Sequence, residues 1–285
     1  MDQNNMQMAQ DYSVLHSSVS GGCMIVRIAR NGRFRALKVL KPEHRGDTRM
    51  EALLKKEFEI GYGLEHPGVC RVISFGEDDR FGHFIEMEWV DGVTLRDLMS
   101  SGNIDRRLSR KLICELCDAL DYLHHAQVIH RDLKPENILV TNNGQNVKLI
   151  DFGLSDEDDF FGYRIPGGTR SYASPEQLAG MPVDLRSDIY SLGVIIGELA
   201  GRRYSRICAK CLRRDPSRRF ASAAEVRSAI RRRPYKIAAV VIALAVIAVA
   251  VPVIAGKMQS RSNDRIFDEA TRGITEIMQI TEAPE

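Results

Sequence analysis

Residues 130–137 read HRDLKPEN, and Asp151 follows fourteen positions after Asn137 in the triplet DFG. One short segment therefore carries a carboxylate (Asp132), an ammonium (Lys134) and an amide (Asn137), with a second carboxylate downstream. A carboxylate beside a hydroxyl can take its proton. An ammonium can neutralise developing negative charge. Amide and carboxylate oxygens together suit a hard divalent cation such as Mg²⁺. Transfer of a phosphoryl group to a hydroxyl needs these parts and one more, a cation on the donor's phosphates. Lys38, in the strand-like ALKVL, can supply it. Each residue alone has an ordinary reading, Lys38 as a strand-edge charge and DFG as a turn. Their order along one chain carries the weight.

The elements that must position these groups are readable from periodicity. Residues 33–41 (RFRALKVLK) alternate as a half-buried strand. Thr48 and Glu51 have capping-box spacing, opening a helix to about residue 64. Residues 69–75 and 83–90 read as strands around a turn between Gly76 and Gly82. After Asp91-Gly92 the pattern becomes helical, with an amphipathic helix over 108–125 and an apolar one over 187–200. Two short strands, 138–140 and 147–150, flank a turn at Asn142-Asn143-Gly144. Ser222 and Glu225 repeat the capping-box spacing before a last helix.

With SPE at 174–176, SDIYSLG at 187–193 and DPSRRF at 215–220, the motifs stand in the order found in the eukaryotic-like serine/threonine protein kinases of bacterial type. The chain resembles that family over residues 12–230. The resemblance implies an α+β, bilobal protein-kinase-like fold, with a β-rich N-lobe carrying one helix (12–90) and a mainly helical C-lobe (91–230). It implies ATP and Mg²⁺ as cofactors, with Mn²⁺ as an alternative ion, and Ser/Thr hydroxyls of proteins as acceptors. Under it Asp132 accepts the hydroxyl proton, Lys134 stabilises the transferring phosphate, and Asn137 and Asp151 hold the metal. Lys38 contacts phosphates and pairs with a helix glutamate. Glu57 stands at the right distance before His66-Pro67, with Glu51 and Glu59 as alternatives. Val26, Ala36 and Leu139 enclose adenine, and Met87 guards a hinge that includes Glu88 and Val90. Glu176 pairs with Arg219, and Asp188 anchors the catalytic loop. Lys134 two residues after Asp132, with Gly168-Thr169 before the SPE, separates this pattern from tyrosine kinases.

Three departures from the family pattern stand out. In SVSGGCMIV (18–26), Ser20, Gly21 and Gly22 are expected to approach phosphate, but Val19 and Met24 replace glycines. The expectation is a weakened nucleotide clamp on an active enzyme, since the transferring groups lie elsewhere. Residues 197–211 pass almost directly from one helix to the next, omitting a helix that in the family forms part of a substrate-docking platform. Substrate choice is then expected to come from membrane co-localisation or self-association. Finally, the loop after DFG carries Ser155 and Tyr163 as its only hydroxyls before Gly168, beside an acidic run at 156–159. That run reads as a solvated face, or as a carboxylate standing opposite Arg131 in place of phosphate. Thr169 is expected to contact the catalytic loop.

The 285 residues carry a net charge of +2 and are 44% hydrophobic, which gives no sign of a nucleic-acid partner, so any basic patch must be local. The polar N-terminus has no signal-peptide core. Residues 237–256 contain no charge and would span about 30 Å as a helix, the thickness of a bilayer core. Arg231, Arg232, Arg233 and Lys236 precede them as a basic juxtamembrane segment (231–236). The expectation is a single-pass cell-membrane protein, its one transmembrane helix contacting lipid, with a cytoplasmic kinase domain and a short external tail (257–285). The competing expectation is a membrane-tethered pseudokinase scaffold. Two CxxC pairs, Cys114/Cys117 and Cys208/Cys211, fall in helical patterns, where packing is favoured over zinc.

Overall fold

The computed structural model describes residues 12–17, 22–30, 32–151 and 171–281. Within these, side chains are described except at 14–17, 232–240, 256, 258–265 and 274–281. The chain divides into a unit ending at Ile230 and one beginning at Arg231.

The first unit starts with an antiparallel five-stranded sheet in the order β1-β2-β3-β5-β4. Its strands are β1 (Tyr12–Ser17), β2 (Cys23–Arg30), β3 (Arg33–Leu40), β4 (Val72–Asp78) and β5 (Gly82–Glu88). Alternation puts Leu37 and Val39 on one face, where they pack with Val26, Phe81 and Phe84. The other face carries Ala36, Lys38 and Leu40, and Leu40 packs with Val72, Ile85 and helix α1 (Thr48–Gly61). On α1 the buried residues are Met50, Leu54, Glu57 and Gly61, a spacing of four, three and four that forms one stripe. The carboxylate of Glu57 thus rides on the helix face that the apolar residues drive against the sheet. The cap of α1 is Asp47, not Thr48: its carboxylate accepts from Arg49 N at 2.9 Å and Met50 N at 3.3 Å. Glu51 accepts from Gly46 N, so the reciprocal arrangement exists one residue earlier than its spacing suggests.

A second sheet, β6 (Gly92–Thr94), β7 (Ile138–Thr141) and β8 (Val147–Leu149), lies in the helical half. The helices are α2 (Leu95–Ser100), α3 (Arg106–His125), α4 (Pro175–Leu178), α5 (Arg186–Ala200) and α6 (Ser205–Cys211). Helix α7 begins at Ala223 and runs to Thr281. Leu112, Leu116, Leu120 and Leu123 of α3 meet Ile189, Leu192 and Ile196 of α5, with Val226 and Ile230 of α7, in one large core. Cys117, Cys208 and Cys211 are buried members of that core, and Cys114 packs at its edge. Gly193 permits the closest approach there, since a β-carbon would lie 2.4 Å from that of Cys211. From α5 the chain makes one 3-10 turn, Gly201–Tyr204, and enters α6.

In the second unit α7 continues as regular helix, and described side chains over 241–249 and 251–255 are exposed. Among the described residues no helix is long and apolar enough to cross a membrane. Described side chains of the uncharged stretch cover only 241–255, short of the roughly 20 residues a span requires.

Candidate active site

Segment 130–137 is fixed mainly through its backbone. Asp188, near the start of α5 and fully buried, accepts from His130 N at 2.8 Å and Arg131 N at 2.9 Å. The same carboxylate bonds His124 Nε2 at 2.9 Å. Burial opposes its charge, but these donors outweigh it and hold Asp188 below the usual carboxylate range. Arg131 adopts φ 61°, a left-handed turn that the paired N–H groups help maintain. From the other side Gln177 Nε2 donates to Arg131 O at 2.8 Å, while Gln177 and Ser174 close a capping box on α4. Beside it Glu176 takes two bonds from Arg219, at 2.6 and 2.7 Å, and one from Ser187 Oγ at 2.7 Å. The Arg219 side chain is wholly buried and also donates to the carbonyls of Arg186, Arg213 and Arg214. Despite its burial, Glu176 is held down to about 2 by Arg219 and Ser187.

On that frame, Asp132, Lys134 and Asn137 converge. Lys134 Nζ lies 2.5 Å from Asp132 Oδ2, and Asn137 Nδ2 donates to the same oxygen at 2.9 Å. Among the described residues Asp132 Oδ1 is buried and has no hydrogen-bond partner. Burial, opposed by Lys134, raises the Asp132 carboxyl above its ordinary range. An oxygen so placed is a more basic acceptor than a solvated carboxylate and is uncommitted to any donor among the described residues.

The second cluster is a charge trio. Lys38 Nζ lies 2.6 Å from both Glu57 oxygens and is also paired with Asp151. Lys38 and Glu57 are buried. Burial works against the ammonium, but Asp151 and Glu57 together hold Lys38 well above the usual lysine range. Burial would raise Asp151 too, yet Lys38 keeps it well below the carboxylate range. Glu57 is pushed up to about 7 by burial, with Lys38 pulling the other way and Asp151 adding repulsion. Two carboxylates thus share one ammonium, and the trio carries surplus negative charge. Asp151 at φ 68°, just after β8, joins the halves: Ile150 N donates to Asn137 O at 3.1 Å. The oxygen donors of Asp151 and Asn137 and that surplus charge fit a hard divalent cation. Glu57 is the glutamate the structure selects. Glu51 caps the helix start, and Glu59 stands off the buried stripe.

The nucleotide positions divide. Ala36 lies opposite Met87 in the β3–β5 register, on the Lys38 face. Glu88 ends β5, its carboxylate held by Lys148 Nζ at 2.5 Å and Arg71 N at 3.0 Å. Val90 lies half-buried in the connection to β6, and Leu139 half-buried on β7 opposite Lys148. Val26 needs correction. It pairs with Leu37, not with Ala36 or Lys38, and packs fully buried with Phe81 and Phe84 on the far face of the sheet. Ile25, opposite Lys38, is the β2 residue on the site's face. Because side chains alternate, a one-residue error in counting along β2 inverts the assignment. It also moves the glycine-pattern positions to Ser18, Ser20 and Cys23. Ser18, Ser20 and Gly21 lie outside the described residues. Gly22 accepts from Lys41 N and sits against Met50 of α1, where a β-carbon would lie 2.2 Å from the Met50 methyl. Residues 152–170, with the acidic run and Thr169, lie outside the described residues too.

His124 and Gln177 were not identifiable from sequence. Only the fold shows that Gln177 bonds the 130–137 segment directly and that His124 reaches it through Asp188.

Residues 16–206 match the protein kinase domain family. The chain is 39% identical over 186 residues to a probable serine/threonine-protein kinase of Streptomyces coelicolor, covering 60% of this chain and 26% of that one. It is 37% identical over 191 residues to the serine/threonine-protein kinase PknB of Mycolicibacterium smegmatis, covering 63% and 30%. It therefore spans about a quarter to a third of the length of these relatives. The crystal structure of the Mycobacterium tuberculosis PknI kinase domain superposes with a TM-score of 0.62 at 26% identity, covering 78% of this chain and 96% of that domain. The chain belongs to the protein kinase domain family and is of the bacterial, eukaryotic-like serine/threonine kind.

Proposed function

We propose that this chain transfers the γ-phosphoryl group of ATP to serine and threonine hydroxyls of protein substrates, with Asp132 as the base. The observation that carries this is the uncommitted, buried Asp132 Oδ1, two residues from an ammonium and held by a backbone-anchored loop. The acceptor's O–H proton passes to Asp132 Oδ1 as its oxygen bonds to phosphorus. The bond from phosphorus to the β-phosphate oxygen breaks, releasing ADP. Lys134 places positive charge where the transferring group becomes more anionic. Lys38, kept cationic by Glu57 and Asp151, holds the donor's phosphates. Ala36, Ile25, Met87 and Leu139 offer apolar surface to the base, and Glu88 and Val90 offer backbone groups. Asn137 and Asp151 would hold Mg²⁺, which when bound neutralises phosphate charge.

The uncharged run at 237–256 and the arginines before it support a single membrane span, with the kinase unit on the ATP-containing side. The short passage between α5 and α6 supports substrate selection by co-localisation in the membrane or by self-association. The competing reading, a scaffold without turnover, is favoured by the missing glycines. A thermal-shift titration of the full chain in detergent micelles separates the two. An enzyme is stabilised by ATP with Mg²⁺, by about 2.7 kcal/mol at a hundredfold excess over Kd, and less by ATP alone. A Tm unmoved by ATP and Mg²⁺ at millimolar concentration overturns the catalytic reading.

A further inference from the structure

The chain is nearly neutral, but its charge is not evenly spread. Thirteen of its 40 Lys and Arg residues fall within 202–236, against only Asp215 and Glu225, so this stretch carries +11 and the rest −9. Two of these cations are used internally. Arg219 is buried on Glu176, and Arg227 is paired with Asp118 of α3. Arg206, Lys210, Arg213 and Arg218 are exposed instead and, with Ala209, line a cavity of about 550 Å³. The first three recur at i, i+4 and i+7 along α6 and its C-terminal end, which places them on one side. Lys210 lies over the Phe220 ring, 4.0 Å from its centre, so the cavity's inner wall is tied to the core beneath. Asp215 meets Arg218 at 3.5 Å, and the four cations lining the cavity outnumber it.

We infer that this cavity docks the phosphate headgroups of anionic lipids. The inference rests on the membrane span proposed above and adds a second, electrostatic contact between the kinase unit and the same bilayer. Two arguments favour a lipid surface over other polyanions. Only residues 231–236 separate Ile230, buried in the core, from the uncharged run. Six residues reach at most about 20 Å, so an inserted span holds Ile230, twelve residues after the cavity's Arg218, within that reach of the headgroups. A tethered cation cluster there adds its attraction to anionic lipid without the cost of bringing the protein to the surface. After the shortened passage between α5 and α6, Arg206, Lys210 and Arg213 are exposed on one side of α6 and its C-terminal end.

The test uses the full chain in nanodiscs of phosphatidylcholine alone or with about a third phosphatidylserine, and amine acylation read by mass spectrometry. The reporter is Lys210, compared with exposed Lys55 on α1. Docking makes Lys210 react several-fold more slowly than Lys55 in anionic discs, with no such difference in neutral discs or at high salt. The variant Arg206→Glu, Arg213→Glu, Arg218→Glu changes only exposed side chains and leaves the reporter in place. It should restore the neutral-disc rate. Equal Lys210 rates in both discs overturn the docking, as does protection that survives in the variant. Protection by added single-stranded RNA, with none from anionic discs, overturns it in favour of nucleic acid. A chain that associates with neither disc overturns the membrane span itself, a failure separate from the loss of charge dependence.

Discussion

Glu176 and Glu57 are both buried and both paired with a cation, yet Glu176 is held down to about 2 and Glu57 is pushed up to about 7. The difference lies in what surrounds each pair. Arg219 gives Glu176 two bonds in a fixed fork, Ser187 adds a third, and no second carboxylate competes. Lys38 must serve Glu57 and Asp151 together. The first pair is complete and works as a clamp on the helical half. The second is one positive charge short, as a site meant to receive a cation should be. Structural and chemical ion pairs in one fold can thus be told apart by whether their charges balance.

The comparison can be broken most forcefully at the clamp. Glu176→Gln leaves the Arg219 guanidinium buried and uncompensated, and should cost about 3–5 kcal/mol in urea unfolding of the full chain. A cost below about 1 kcal/mol would make the clamp no stronger than a surface pair. At the trio, Asp151→Asn removes a charge from an unbalanced group. Lys38 stabilises that charge, so stability should fall. The fall is smaller than at the clamp, because relief of repulsion on Glu57 offsets part of the loss, while phosphoryl transfer falls about 10²–10³-fold. Asp188→Asn lies between the two. It weakens bonds to two backbone N–H groups and His124, with an expected cost of about 1–3 kcal/mol and a parallel loss of rate. Unchanged rate in that variant would show that the loop holds its shape without the α5 anchor.

The smallest effect is the most specific, because the two glutamates should respond to pH with opposite sign. Glu57 binds its proton more tightly in the folded chain than in the unfolded one, where the ordinary value is 4.5. Its contribution is present below 4.5 and is lost as pH rises toward 7. Glu176 is the reverse, its contribution present above 4.5 and lost as pH falls toward 2. Unfolding midpoints of the wild type minus Glu57→Gln should therefore fall between pH 4.5 and 7. The same difference for Glu176→Gln should fall only on the acid side. Asp151→Asn should shift the Glu57 transition to lower pH, since Asp151 repulsion helps to raise it.

What the sequence made legible was whatever is written locally. The catalytic segment keeps its chemistry within eight consecutive residues, and Lys38, Glu57 and Asp188 are recoverable from spacing to such segments. Amphipathic helices and short strands emerged from periodicity to within a few residues. The misses involved counting and distance. Val26 was taken for Ile25 because register along β2 is decided by its pairing with β3, not by β2 itself. Asp47 took the cap from Thr48 because the helix begins one residue earlier than the spacing implied. His124 acts on the loop through Asp188, 64 residues away from it, and Gln177 lies 46 residues from Arg131, pairings that no local pattern encodes.

Proton acceptance by Asp132 is the central claim, and transfer of labelled γ-phosphate from ATP is its most direct measurement. The full chain in neutral nanodiscs, with Mg²⁺ and a basic protein acceptor, would be run beside Asp132→Asn under identical conditions. Label should appear on serine and threonine, and the variant should be slower by about 10²–10⁴-fold while unfolding at a similar midpoint. Equal transfer by both proteins would remove Asp132 from the base role. No transfer by folded wild type at any ATP concentration would make the chain a scaffold.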